Sequence, residues 1–100
     1  MFIIKEEDSR YPDKIEYLGV NPRFNSYYVE PCDNINAVSP YGHTSRSLYA
    51  IKCFIQSMRK KDKDSEYKIF TLLVVNGKNE IQNQYQIDDI MNIYDAKLLK

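Results

Sequence analysis

One segment in the last third of the chain, residues 67–75, does most to restrict the fold. A strand directs successive side chains to opposite faces, and here both faces are apolar. The two sets are Ile69, Leu73 and Val75 on one face, and Phe70, Leu72 and Val74 on the other. A strand that is apolar on both faces is normally covered on both. We therefore predict a sheet with protein packed against each side and this strand in its interior.

Shorter strand signals surround this segment. The first third of the chain reads as an antiparallel meander with strands at residues 2–6, 14–20 and 26–30. Pro31 is expected to end the third strand, because proline has no N–H to give to the ladder. Asn76-Gly77 is the dipeptide of a type I′ hairpin, which would return the chain as a strand over residues 80–86.

Two segments have helical periodicity. Residues 44–60 place one apolar stripe on a helix, made of Leu48, Ile51, Phe54, Ile55 and Met58. Thr44 or Ser45 is the expected N-cap, since hydroxyl side chains accept from the free N–H groups of the first turn. A second helix is expected from about Asp88. The predicted order is βββαββα: a single compact α+β domain over residues 1–100, with a mainly antiparallel sheet of about five strands and two helices.

Charge and composition exclude several classes of protein. Fourteen basic and fourteen acidic residues give zero net charge, so nucleic acid is not expected as the main partner. With 43% hydrophobic residues the chain can build a core without metal or disulfides. No apolar run reaches membrane-spanning length, and the first residues do not resemble a signal peptide. Cys32 and Cys53 then indicate reduced thiols in a cytoplasmic protein.

The side of the long helix opposite its apolar stripe is the main candidate site. Arg46, Tyr49, Cys53 and Lys60 fall there. A face that only meets water has no need of tyrosine and cysteine, so the helix is either buried on two sides or presents a contact surface. Tyrosine and arginine often dominate binding energy at protein interfaces. We predict that this face binds another protein or a second copy of the chain; the alternative is that a loop covers Tyr49.

The loop that enters this helix is a second candidate. A helix N-terminus attracts anions, and His43, Thr44, Ser45 and Arg46 could donate to a phosphate or carboxylate. Only one glycine, Gly42, lies nearby and no Gly-Lys pair follows, so this is not a phosphate-binding P-loop. Ordinary capping explains the same residues.

Metal and nucleophile chemistry have weak support. The candidate ligands Cys32, Asp33, His43 and Cys53 are scattered and lack the short spacings of zinc sites. A cysteine nucleophile would need His43, the only histidine, and no nucleophile motif surrounds either thiol. We expect no metal, no cofactor and no enzymatic activity.

Nine tyrosines and no tryptophan are the remaining clue to function. Tyrosine combines apolar area with a polar tip, which suits recognition surfaces. We therefore expect a non-enzymatic protein-binding domain. Abundant Ile, Asn, Lys and Tyr have AT-rich codons, and we extend the prediction to a phage or mobile-element inhibitor of a host defence complex, acting in the host cytoplasm. The alternatives are a nucleotide or small-ligand binder at His43 to Arg46, and an accessory nucleic-acid binder using tyrosines and residues 59–63.

Overall fold

Five antiparallel strands form one sheet in the order β3-β2-β1-β4-β5. The computed structural model describes the backbone of residues 1–21, 25–86 and 95–99, and their side chains except at residues 21, 25–30, 95 and 96. The strands are β1 (Phe2–Asp8), β2 (Tyr11–Asn21), β3 (Asn25–Cys32), β4 (Lys68–Val75) and β5 (Ile81–Gln86). The predicted α+β fold with a five-stranded antiparallel sheet is confirmed, and β4 lies inside the sheet as expected.

Helical structure differs from the prediction. The long helix α1 spans Ser45–Lys61, and short 3-10 helices occupy Ile35–Ala37 and Lys63–Tyr67. Within the described residues there is one long helix, not two: near the C-terminus a single helical turn, α2, spans Asp95–Leu98. The predicted start of the second helix at Asp88 lies outside the described residues. Pro31 also does not end β3, because this strand lies at the sheet edge, where a missing N–H is tolerated.

One face of the sheet packs against α1. Alternation along β1 and β4 directs Phe2, Ile4, Phe70 and Leu72 to this side, where they are fully or almost fully buried. Leu48, Ile51 and Ile55 from α1 complete the cluster, with Phe54 and Met58 half-buried at its margin. The predicted apolar stripe of the helix therefore does face the core.

The loop after β3 covers part of the opposite face. Ile3, Leu73 and Val75 point to this side and pack with Val38, while Ile35 adds a partly buried contact. This second cluster accounts for Leu73 and Val75 on that face of β4, whereas Ile69 on the same face is exposed. The apolar residues on the first face are covered by a helix, and those on the second face are covered by a loop.

Residues 39–41 carry the chain from one face to the other between β1 and β2. The two strands pair up to Ile4 and Leu18 and then separate. On one side of the gap, Val20 donates its N–H to the Ser39 carbonyl at 2.8 Å. On the other side, Phe2 and Tyr41 exchange two backbone hydrogen bonds of 3.0 and 2.8 Å. The passage thus acts as a short strand inserted into the sheet.

Gly19 makes this passage possible. A Cβ built on Gly19 would lie 2.3 Å from the Ser39 carbonyl oxygen and 2.4 Å from Cγ1 of Val38. The first of these atoms belongs to the backbone, so a flexible side chain cannot simply move away. Only glycine lets the two backbones approach this closely.

The β4–β5 hairpin forms, but its predicted type I′ turn is wrong. Gly77 does not adopt a positive φ; Asn79 does, at 58°. A left-handed residue after the turn is typical of three-residue hairpin loops. The Asn79 side-chain amide donates to the carbonyls of Ile35 and Val38 at 2.8 and 3.0 Å. The hairpin tip thereby fixes the loop that covers the second face.

We expect Gly19→Ala to lower the free energy of unfolding by about 1–3 kcal/mol, the usual cost of overpacking. Gly77→Ala is the matched control, because a Cβ there has no neighbour within 4 Å, and it should change stability by less than about 0.5 kcal/mol. Urea titration of both variants measures the difference. Equal midpoints would mean that the passage beside Gly19 is looser than the structure indicates.

Candidate functional site

Capping and the core together hold α1 in place. Thr44 precedes the helix with extended backbone angles, and its Oγ1 accepts from the backbone N–H of Ser47 at 3.1 Å. Ser47 and Leu48 in the first turn are buried, as is Ile55 two turns later. At the far end the N–H of Asp62 donates to the carbonyl of Met58. The helix is therefore anchored along its inner side, and its opposite side points away from the sheet.

The four predicted partner-binding residues lie together on this outward side. We call Arg46, Tyr49, Cys53 and Lys60 the α1 outer face. All four are exposed, and Tyr49 has 70% of its surface accessible. The alternative in which a loop covers Tyr49 is wrong. The alternative in which the helix is buried on two sides is wrong for the same reason.

Tyr49 and Cys53 interact with each other, one helical turn apart. A side-chain hydrogen bond to Cys53 raises the pKa of the Tyr49 hydroxyl, and repulsion from the negative charge of an ionised Cys53 sulfur acts in the same direction. This direction is expected when the phenol donates to sulfur, because the bond stabilises the protonated form.

A shallow hollow continues the α1 outer face toward the end of the helix. Its volume is about 280 Å³, and its lining residues are Cys53, Gln56, Ser57, Lys60 and Lys61. The small side chain of Ser57 leaves room between the larger ones. The outer face therefore has an aromatic side chain near its N-terminal end and a concave, basic C-terminal end.

The helix N-terminus is a capping site. Thr44 Oγ1, besides accepting from the Ser47 N–H, lies 3.1 Å from the hydroxyl of Ser47. The ring of His43 stacks on Phe2, with centroids 5.0 Å apart and planes 18° apart. Ser45 and Arg46 are exposed in the first turn. Capping is thus confirmed for Thr44, and nothing else in the described residues marks an anion site here.

The candidate metal ligands are not gathered into a site. Cys32 is half-buried in the cluster on the second face of the sheet, whereas Cys53 is exposed on α1. The Cys32 sulfur contacts the backbone N–H and carbonyl of Asn34, each at 3.5 Å. Among the described residues no three His, Cys, Asp or Glu side chains form a group that could hold a metal ion.

A second exposed aromatic cluster, which the sequence analysis missed, lies at the β1–β2 turn. Arg10 donates to both carboxylate oxygens of Asp8, at 3.1 and 2.9 Å, and these bonds lower the pKa of Asp8 to about 2. The guanidinium lies 4.5 Å from the ring centroid of Tyr67 and 5.5 Å from that of Tyr11. The spacing of Asp8 and Arg10 in the sequence could have predicted their ion pair. The contact with Tyr67 could not be predicted in this way, because it depends on the pairing of β1 with β4. The cation is already held here by a carboxylate and two rings, so the cluster has a structural role.

The outer edge of β5 offers little for strand addition. Its side chains carry no charge, which would leave the edge open to pairing with another strand. However, the Gln84 N–H donates to the side-chain oxygen of Asn83 at 2.8 Å, and the amide of Asn83 donates to the Tyr85 hydroxyl at 2.9 Å. A side chain therefore already occupies one backbone donor of this edge.

Comparison of the chain with protein-family models, with curated proteins and with solved structures finds no match. Among the described helices, none has the length and apolar character needed to cross a membrane. The most distinctive surface of the described residues is the α1 outer face.

We expect Thr44→Ala to lower the free energy of unfolding by about 1 kcal/mol, because the Ser47 N–H loses its acceptor. Ser45→Ala, one position later, removes an exposed hydroxyl and should change stability by less than about 0.5 kcal/mol. Thermal denaturation of the two variants tests the assignment of the cap. A larger loss of stability in the Ser45 variant would mean that Ser45, and not Thr44, is the N-cap.

We also expect the fold to be independent of metal and disulfides. Both cysteines are free, and two apolar clusters support the sheet. The melting temperature should therefore be the same with and without excess chelator and reductant, as followed by circular dichroism. A fall of more than a few degrees would show that Cys32, His43 or Cys53 has a structural role that the fold does not reveal.

Proposed function

We propose that this chain is a non-enzymatic protein-binding domain and that its α1 outer face is the contact surface. The observation that carries the proposal is the position of Tyr49. A large aromatic side chain lies 70% exposed on a helix that is anchored from below by a buried face. Folding does not require an aromatic residue there, since alanine forms helices better.

Three properties of the face suit a binding role. Tyrosine and arginine are enriched among the residues that dominate binding energy. The buried side of the helix holds its backbone, so the position of the surface is set before a partner arrives. Ala50 and Ser57 are small and allow close approach.

The more specific proposal is an inhibitor from a phage or mobile element that blocks a host defence complex in the host cytoplasm. The AT-rich residue usage and the small size of the domain support this extension. A nucleotide site at His43 to Arg46 has no comparable support, because Thr44 is occupied in capping. Tyr11 and Tyr67 lie against Arg10, which weakens the case that exposed tyrosines serve nucleic-acid stacking.

We expect Tyr49→Ala to separate binding from folding. Removing an exposed ring should leave the free energy of unfolding within about 0.5 kcal/mol of the wild type. Loss of an interface anchor should weaken association by about 2 kcal/mol or more. Denaturant titration measures the first quantity, and affinity capture from a bacterial lysate, followed by titration of the captured protein, measures the second.

Tyr11→Ala is the matched control, because Tyr11 is also an exposed tyrosine, at 59%, on the opposite end of the sheet from the helix start. The proteins of interest are those that wild type and the Tyr11 variant both capture and the Tyr49 variant does not. If all three baits capture the same proteins, or if Tyr49→Ala unfolds the chain, the α1 outer face is not the binding surface.

A further inference from the structure

The charges of α1 are segregated from those of the rest of the chain. Although the chain has equal numbers of acidic and basic residues, α1 contains no aspartate or glutamate. Its five basic residues are Arg46, Lys52, Arg59, Lys60 and Lys61. Exposed helices commonly carry both signs, because pairs one turn apart stabilise them. A helix whose charged residues all have the same sign lacks that stabilisation.

The helix macrodipole explains one end of this pattern but not the other. Basic residues in the last turn are favourable, since they face the negative end of the dipole. At the first turn the same dipole favours acids, yet the first turn of α1 has none and contains Arg46. A basic residue at that position works against the stability of the isolated helix.

Arg59 has a structural function that sets it apart from its neighbours. It donates to the carbonyls of Ser65 and Lys68, the second at 3.1 Å, and its guanidinium lies 5.2 Å from the ring centroid of Phe70. Lys60 and Lys61, in contrast, are exposed beside the hollow. Lys60 is the basic end of the α1 outer face, about 21 Å along the helix from Arg46 at 1.5 Å per residue, and Lys61 lies next to it.

We propose that the partner of the α1 outer face is a protein with an acidic surface. Carboxylates would meet the exposed Lys60 and Lys61, with an apolar contact for Tyr49 farther along the same face. This inference rests on the proposed function and adds the chemistry of the partner. Complementary charge of this kind mainly provides specificity and fast association.

A second copy of the chain does not fit this surface. In a two-fold dimer the same patch meets itself, so two α1 outer faces would bring basic side chains together with no acid on either helix. Nucleic acid fits less well than an acidic protein. Binding dominated by phosphates draws its affinity from many Lys and Arg contacts, whereas α1 has five basic residues and one of them, Arg59, already donates within the fold.

The test uses a helical peptide of glutamate and leucine, about 20 residues long and so about 30 Å in length, and a single-stranded oligothymidine as the nucleic-acid arm. Each is titrated into the isotope-labelled full chain at low and high salt, with amide shifts mapped by NMR. We expect the acidic peptide to bind, to shift amides of α1 around Tyr49 and Lys60, and to bind more tightly than the oligothymidine.

The double variant Lys60→Glu/Lys61→Glu should weaken peptide binding by about tenfold or more at low salt, since attraction becomes repulsion. The control variant Lys14→Glu/Lys78→Glu makes the same change in net charge at exposed positions away from α1. It should weaken peptide binding by less than about threefold. Failure of the peptide to bind, equal effects of the two double variants, or tighter binding of oligothymidine would each overturn the proposal. Self-association of the wild type that Tyr49→Ala abolishes would also overturn it, in favour of a second copy.

The two proposals can fail separately. If Tyr49→Ala abolishes capture of a cellular partner and Lys60→Glu/Lys61→Glu does not, the outer face binds protein but the acidic chemistry is wrong. If the lysine variant alone abolishes peptide binding and Tyr49→Ala changes neither binding nor capture, the acidic preference holds and the contact surface proposed around Tyr49 is wrong.

Discussion

The passage of residues 39–41 through the gap between β1 and β2 is the constraint on which the rest of the structure depends. Val38, on one side of it, belongs to the cluster that the loop forms with Ile3. Tyr41, on the other side, is almost fully buried in the cluster beneath α1. Only Ser39 and Pro40 therefore separate members of the two apolar clusters, and the backbone bonds of Ser39 to Val20 and of Tyr41 to Phe2 hold this segment in the sheet. Gly19 is the residue that leaves space for this arrangement.

The same passage determines where α1 lies. Only two residues separate buried Tyr41 from the N-cap Thr44, so the helix starts within a short distance of a fixed point in the core. Its first turn is then held by the cap and by buried Leu48. Because both the start and the inner side are fixed, the direction in which Tyr49 points is set by the fold. An exposed residue on such a helix is presented in one orientation, which is what a binding surface requires.

Periodicity alone was enough to predict the parts of the fold that depend on local patterns. Strand and helix periods predict the two apolar faces of β4 and the inner stripe of α1. The same helical period places the residues of the α1 outer face on the side of the helix opposite that stripe. What failed depends on contacts between distant residues. Asn79, not Gly77, takes the left-handed conformation, in a hairpin whose tip is tied to a loop more than 40 residues earlier in the chain. Pro31 stays in β3 because that strand is an edge, which depends on the sheet order.

The exposed side of α1 is informative because folding makes few demands on it. The helix is begun by a threonine cap, ended by a basic last turn that suits the dipole, and stabilised by burial of its inner side. None of these needs a tyrosine at position 49. A residue that breaks a local preference without a gain in stability is a candidate for a functional role. On α1 that residue is Tyr49, which is 70% exposed and lies on the same side of the helix as Lys60.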